Sequence, residues 1–137
     1  MDFTRCDVTV NGQTHSGQWK RNSILLVVKA FVESGVSLLE IRDIFRELGR
    51  GTVFFEVPGE ISDVQEFCSR ASERSKETGK SFNERRWHTG DGDLIVFDGN
   101  TYAFSNQRGR HSLKFMKELR ERYPQIGLSY KPSDAIS

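Results

Sequence analysis

The sequence predicts an α+β fold, in which two β-hairpins and short strands pack with about four helices in a single compact domain. Three observations lead to this prediction. Asn11-Gly12 and Asp98-Gly99 each lie between short runs of strand-forming residues, which is typical of hairpins. Helical patterns are grouped between and after the hairpins, which favours α+β over a doubly wound sheet. The length of 137 residues is that of one domain.

The strands are predicted from turn chemistry and from residue type. Asn-Gly and Asp-Gly both accept the positive φ angles of a type I′ turn, so each dipeptide joins two antiparallel strands. A run of β-branched and aromatic residues between Gly51 and Pro58 adds a further strand. In chain order, the predicted strands cover residues 7–10, 13–19, 52–57, 94–97, 101–104 and 126–130.

Four helices are predicted from apolar periodicity and from their terminal residues. They run from Asn22 or Ser23 to about Ser34, from Ser37 to Leu48, from Ser62 to the residue before Glu73, and from Ser112 to Tyr123. The first helix is apolar nearly all round, so we expect it to be the buried central helix. Ser37 and Glu40 have the spacing of a capping box, and Gly35 and Gly49 fit helix ends. In the last helix, the residues predicted to face inward are Leu113, Met116, Leu119 and Tyr123.

Residues 74–85 are predicted to form a polar loop, because charged and small side chains dominate this segment. Such a loop would join two lobes, residues 1–73 and 86–132. Each lobe is too small to form a core alone, so the predicted organisation is one domain over residues 1–137.

The charge balance and the apolar pattern exclude several classes of protein. Twenty Lys and Arg against 19 Asp and Glu give a net charge of +1, which excludes a polybasic nucleic-acid coat and an acidic mimic. The longest apolar run, residues 24–28, is far shorter than the ~20 residues of a membrane span, and residues 1–10 lack the apolar part of a secretory signal. We therefore expect a cytoplasmic protein without a membrane partner, with Cys6 and Cys68 as reduced thiols.

Metal and catalytic motifs are missing from the sequence. His15, His88 and His111 are scattered, and no pair of Cys or His residues has the spacing of metal ligands. No nucleophile motif or phosphate-binding loop occurs either. The sequence therefore predicts no catalytic residue, no metal site and no cofactor.

The second hairpin resembles the active-site hairpin of the PD-(D/E)XK nuclease superfamily. Asp93 stands where that family has its first metal-binding carboxylate. The resemblance implies a carboxylate and a lysine on the next strand, where this sequence has Ser105-Asn106-Gln107. A degenerate or divergent nuclease is therefore kept as an alternative, and an ordinary hairpin is favoured.

The first two helices also resemble a helix-turn-helix. The small and apolar positions of that motif are filled by Ala30, Gly35, Val36, Ser37, Ile41 and Ile44. The surface of the second helix would then consist of Leu39, Glu40, Arg42, Asp43, Arg46 and Glu47. Because phosphate repels its three acidic side chains, a helical hairpin used for packing is favoured over a DNA-reading one.

A basic segment near the C-terminus carries the functional prediction. Between residues 106 and 123, six Lys and Arg stand against two Glu, a local charge of +4. Phosphates would be neutralised by Arg108, Arg110, Lys114 and Lys117, and Gln107 and Asn106 would reach a base edge or sugar. Flanking contacts would come from Arg85, Arg86 and Trp87.

Two longer segments resemble small accessory domains of bacterial restriction and phage-defence proteins. They are VTVNGQTHSGQWKRNSILLVVKAFVESGVSLLEI and TYAFSNQRGRHSLKFMKELRERYPQIGLSY. The resemblance implies a non-catalytic module that recognises DNA or a partner subunit. The predicted function is therefore nucleic-acid binding in a defence or DNA-processing system, with DNA favoured over RNA and the choice between them left open. A protein-interaction or regulatory domain is the main alternative, and a homodimer remains open.

Overall fold

A computed structural model describes residues 5–48, 52–79, 82–106 and 112–132. Within them, four α-helices and two three-stranded antiparallel sheets confirm the α+β class. In chain order the elements are β1 (Arg5–Val10), β2 (Gln13–Trp19), α1 (Lys20–Glu33), α2 (Leu38–Glu47), β3 (Phe54–Pro58), α3 (Val64–Thr78), β4 (Ile95–Phe97), β5 (Asn100–Phe104), α4 (Ser112–Arg122) and β6 (Ser129–Pro132).

The chain divides into two units, each containing one of the sheets. The first unit consists of Met1–Arg50 and Gln107–Ser137, and the second consists of Gly51–Asn106. These bounds differ from those of the predicted lobes 1–73 and 86–132, because the chain leaves the first unit after α2 and returns to it before α4.

The first unit contains a sheet of strand order β2-β1-β6 and helices α1, α2 and α4. Strand β1 alternates, so that Cys6, Val8 and Val10 are buried, and α1 packs on this strand. The predicted strand over residues 126–130 begins later, at Ser129. Pro124 starts a short 3₁₀ helix in its place, since proline fits the first turn of a helix.

Helix α1 is the buried central helix that its composition predicts. Ile24, Val27, Val28 and Phe31 are all fully buried. It begins at Lys20, however, and the buried Ser23 hydroxyl donates to the carbonyl of Trp19 instead of capping the helix.

The second unit contains a sheet of strand order β3-β5-β4, and α3 packs on one face of it. The core there includes Phe55, Val57, Phe67, Ala71 and Ala103.

Both predicted hairpin turns are confirmed, with positive φ at the turn pairs Asn11-Gly12 and Asp98-Gly99.

The predicted polar loop 74–85 is wrong in its first part, because α3 continues to Thr78. The helix starts after Asp63, whose carboxylate accepts from the amide of Gln65, and ends at Gly79 with φ 75°. A 3₁₀ turn follows over Glu84–Arg86. The polar side chains of the last helical turns belong to the solvent side of a long helix, which composition alone does not separate from a loop.

Helix α4 matches its predicted position but not its entire predicted face. Met116 and Leu119 are fully buried, together with Phe115, whereas Leu113 is 37% exposed. The inward prediction for Leu113 is therefore wrong. Of the helices in the described ranges, none is long and apolar enough to cross a membrane.

Candidate nucleic-acid interface

Helix α4 holds two of the predicted phosphate-binding residues on its outer side. The buried side of the helix is apolar, so the helical period turns Lys114 and Lys117 outward, where both are exposed. They lie three positions apart, a spacing that places them next to each other on a helix surface.

Where α4 meets α2, carboxylates neutralise the positive charge of Arg122. The Nη2 atom of Arg122 lies 2.7 Å from Oε2 of Glu47, and its Nε atom lies 2.8 Å from Oε1 of Glu118. The hydrogen bond to Glu47 and, to a smaller extent, the one to Glu118 raise the pKa of the Arg122 guanidinium. Arg122 therefore does not contribute to a surface that attracts anions, although it counts towards the local charge of +4 in the sequence.

The opposite side of α4 carries a third exposed cation, Arg120. Its guanidinium carbon lies over the ring of Tyr130 in β6, 5.1 Å from the ring centroid. Burial raises the pKa of the Tyr130 hydroxyl. Among the described residues, no carboxylate forms an ion pair with Lys114, Lys117 or Arg120. Arg120 is part of the local charge of +4 but is not among the phosphate-binding residues predicted from the sequence. Its spacing of three residues from Lys117 is the signal that identifies it as a neighbour on the helix surface.

The two units differ in net charge. By sequence, the first unit has 14 Lys and Arg against nine Asp and Glu, a net charge of +5. The second unit has six against ten, a net charge of −4. The near-neutral total therefore combines a basic unit with an acidic one, and the cations of α4 belong to the basic unit.

Three predicted site residues, Gln107, Arg108 and Arg110, lie outside the described residues. They directly precede α4 in the sequence and belong to the first unit. Their predicted contacts with phosphate and base stay predictions.

The remaining predicted residues lie together in the second unit, at the turn Glu84–Arg86. The side-chain amide of Asn106 donates to the carbonyl of Arg85 at 2.8 Å and to that of Trp87 at 3.4 Å. Its backbone amide donates to the carbonyl of Arg86 at 3.0 Å. These bonds give Asn106 a structural role, whereas the sequence predicts a contact with a base edge or sugar. The side chains of Arg85 and Arg86 are exposed.

Trp87 contributes to aromatic contacts inside the second unit. Its ring centroid lies 5.7 Å from that of Phe55, edge to face, and 6.4 Å from that of Phe82, with which it is stacked. These contacts leave Trp87 half-buried, which reduces the ring surface open to a nucleic-acid base. Since Arg85, Arg86 and Trp87 belong to the second unit and Lys114 and Lys117 to the first, we treat them as two sets.

Helix α2 is tied to α4 through the acidic residues of its predicted DNA-facing surface. The Tyr123 hydroxyl donates to Glu40 at 2.8 Å, and Arg122 binds Glu47 as described above. Ser37 caps the helix by accepting from the amide of Leu39. These contacts are those of a helical hairpin used for packing, the interpretation favoured from the sequence.

Asp93, the residue that resembles a nuclease carboxylate, caps a turn. Its Oδ2 atom accepts from the amide of Gly90 at 2.9 Å. In β3 of the same unit, the Glu56 carboxylate accepts from the Asn100 side chain at 2.8 Å and from the Tyr102 hydroxyl at 3.0 Å. In the part of the chain that the structure describes, no three His, Cys, Asp or Glu side chains are grouped as metal ligands.

Few large apolar side chains are exposed in the described ranges of the chain. Among the described residues, the large ones are Leu39, Val96 and Leu113, which lie on α2, β4 and α4. Single exposed apolar residues are ordinary for a protein surface. Their distribution gives no specific support to a protein-docking site.

Comparison with known proteins found no match to this chain among protein-family models, curated proteins or solved structures.

Proposed function

We propose that the first unit binds nucleic acid without catalysing a reaction, through the outer side of α4. The observation that carries the proposal is the set of exposed cations Lys114, Lys117 and Arg120, which have no carboxylate partner among the described residues. The same unit has a net charge of +5. Phosphate contacts of this kind supply most of the affinity of nucleic-acid binding that does not depend on sequence.

Arg108 and Arg110 are included in the proposed interface, because they precede Lys114 in the same unit. Arg85 and Arg86 are a second pair of exposed cations, in the acidic unit, and their contribution is tested separately. The cellular setting, a cytoplasmic defence or DNA-processing system of bacteria, rests on the resemblance of residues 8–41 and 101–130 to accessory domains of such systems.

Binding of a labelled DNA, followed by fluorescence anisotropy over a series of salt concentrations, tests the proposal. The logarithm of affinity is expected to fall linearly with the logarithm of salt concentration. The double variant Lys114→Ala/Lys117→Ala should bind more weakly and reduce the slope by about 1.5, since each lost phosphate contact removes ~0.7–0.9. Lys76→Ala removes an exposed cation from α3 in the other unit, and serves as the charge control.

Two results would contradict the proposal: no binding at low salt, or an unchanged salt slope in the double variant. If DNA does not bind and the purified chain has the mass of a dimer in size-exclusion chromatography, the protein-interaction alternative is favoured. A double variant of Arg85→Ala/Arg86→Ala that alone abolishes binding would move the interface to the second unit.

A further inference from the structure

The exposed surface of α4 carries a row of three cations, and the last of them lies over an aromatic ring of β6. Lys114, Lys117 and Arg120 follow one another at intervals of three residues, over about 9 Å at ~1.5 Å per residue. Only Arg120 of these three lies over an aromatic ring, that of Tyr130. The contact favours a position of the guanidinium over the ring, and the Arg120 side chain stays exposed.

A guanidinium held over a tyrosine ring is suited to stack on a nucleic-acid base. The guanidinium is planar, and holding it in place before binding reduces the conformational entropy lost on contact. Proteins that bind single strands combine such stacking surfaces with cations that follow the phosphates. In a duplex the base faces are covered by neighbouring bases, so they are not accessible to Arg120.

We propose that this surface of α4 binds single-stranded DNA. One base stacks at the Arg120–Tyr130 pair, and Lys117 and Lys114 contact the phosphates that follow. This inference rests on the proposed function and adds to it the strandedness and the sugar. It concerns a stretch of about two or three nucleotides, given ~3.4 Å between successive bases in a stacked strand.

Leu113 favours DNA over RNA at this surface. It is 37% exposed and lies four residues before Lys117 and seven before Arg120, on the same side of the helix. An apolar side chain there can contact a deoxyribose or a thymine methyl group. A ribose 2′-hydroxyl in the same position would lose water without gaining a hydrogen bond.

The test compares three labelled probes by anisotropy: an oligothymidine of about 12 nucleotides, an oligouridine of the same length, and a DNA duplex of that length. The oligothymidine is expected to bind about tenfold more tightly than the duplex, from stacking that the duplex cannot provide. Arg120→Lys keeps the charge and removes the plane, so it should weaken oligothymidine binding about tenfold and weaken duplex binding much less, which reduces the difference in affinity between these two probes. Tyr130→Leu should do the same and Tyr130→Phe should retain affinity, whereas Arg46→Lys is the matched control on α2.

The outcomes separate this inference from the proposed function. If the lysine double variant reduces the salt slope but all three probes bind equally and Arg120→Lys has no effect, the inference is overturned and the proposed function stands. Tighter binding of oligouridine than of oligothymidine overturns the assignment to DNA. If no probe binds in low salt, the proposed function itself fails. Circular dichroism spectra of the variants that match the parent show that a loss of affinity is not a loss of fold.

Discussion

The hydroxyl of Tyr123 donates a hydrogen bond of 2.8 Å to the carboxylate of Glu40, 83 positions earlier in the chain. Together with the ion pair between Arg122 and Glu47, it joins the last residue of α4 and the residue after it to α2. Two acidic residues of α2 are used inside the first unit in this way. The exposed cations Lys114, Lys117 and Arg120 of α4 have no such partners among the residues that the structure describes, so the proposed interface is assigned to them and not to Arg122.

Replacing Tyr123 by Phe removes the hydrogen bond to Glu40 and keeps the ring. The ring contacts Phe31 edge to face at 5.8 Å, so the core contact is retained. We expect the free energy of unfolding to fall by about 1 kcal/mol, the net worth of one hydrogen bond. Urea denaturation at pH 7 measures this difference, and Tyr123→Phe as stable as the parent would contradict the role given to the bond.

The same tyrosine makes stability depend on alkaline pH. Burial, followed by the hydrogen bond to Glu40, raises the pKa of Tyr123 from 10.0 to about 12. The folded state holds the proton of the Tyr123 hydroxyl more tightly than the unfolded state does. The hydroxyl therefore makes its full contribution to the free energy of unfolding below pH 10, and this contribution is lost as the pH rises from 10 to about 12. Stability curves of Tyr123→Phe and of the parent should therefore converge across that interval, and parallel curves would contradict the shift.

Thr101 fixes the chain segment between β3 and α3. Its buried hydroxyl accepts from the amide of Ile61 at 2.8 Å and donates to the carbonyl of Gly59 at 2.7 Å. Thr101→Val keeps the shape and leaves both backbone groups without this partner, so we expect a loss of about 2 kcal/mol in urea denaturation. Thr101→Ser keeps the hydroxyl and should lose only about 1 kcal/mol, the value of one buried methyl group. A serine variant less stable than the valine variant would refute this account.

Asn11 links the first hairpin turn to the end of α1. It has φ 53°, and its side-chain amide donates to the carbonyl of Ala30 and to the hydroxyl of Ser34. In Asn11→Asp, a carboxylate faces the carbonyl end of a helix, where negative charge is unfavourable, and we expect a loss of about 1 kcal/mol at pH 7. Asn11→Gly accepts the same φ and isolates the cost of the lost hydrogen bonds. Thermal denaturation compares the stabilities of the two variants. Asn11→Asp is expected to be the less stable, and an Asp variant as stable as Asn11→Gly would contradict the unfavourable charge at the helix end.

Asn106 distinguishes a structural role from a binding role. Since its amide holds the turn that carries Arg85 and Arg86, Asn106→Ala should lower the free energy of unfolding by about 1–2 kcal/mol. DNA affinity at the α4 interface should not change. A variant of normal stability with weakened DNA binding would instead support the base contact that the sequence suggested.

Local chemistry explains which parts of the fold the sequence predicts. The hairpins were found because Asn11-Gly12 and Asp98-Gly99 carry the required φ angles in two adjacent residues. The end of α3 was missed because residues 73–78 carry mainly polar side chains, and a solvent-facing helix and a loop then have similar composition. In α4, the apolar pattern allows either Leu113 or Phe115 to face the core, and only the tertiary structure shows that Phe115 is buried and Leu113 exposed.

The candidate site shows the same limit. The exposure of Lys114 and Lys117 follows from the period of α4. The pairing of Arg122 with Glu47 joins residues 75 positions apart, and the contact of Trp87 with Phe55 joins two separate elements. No local pattern encodes such distant contacts, so the sequence overestimates the available charge at Arg122 and the available ring at Trp87.

The most direct test of the central claim is a titration of the isotopically labelled protein with oligothymidine, followed by amide chemical shifts. We expect the largest shift changes between Lys114 and Arg120 and around Tyr130, and small changes in α3 and at Arg85 and Arg86. Changes confined to the second unit, or no changes at a salt concentration where binding is measured by anisotropy, would contradict the account.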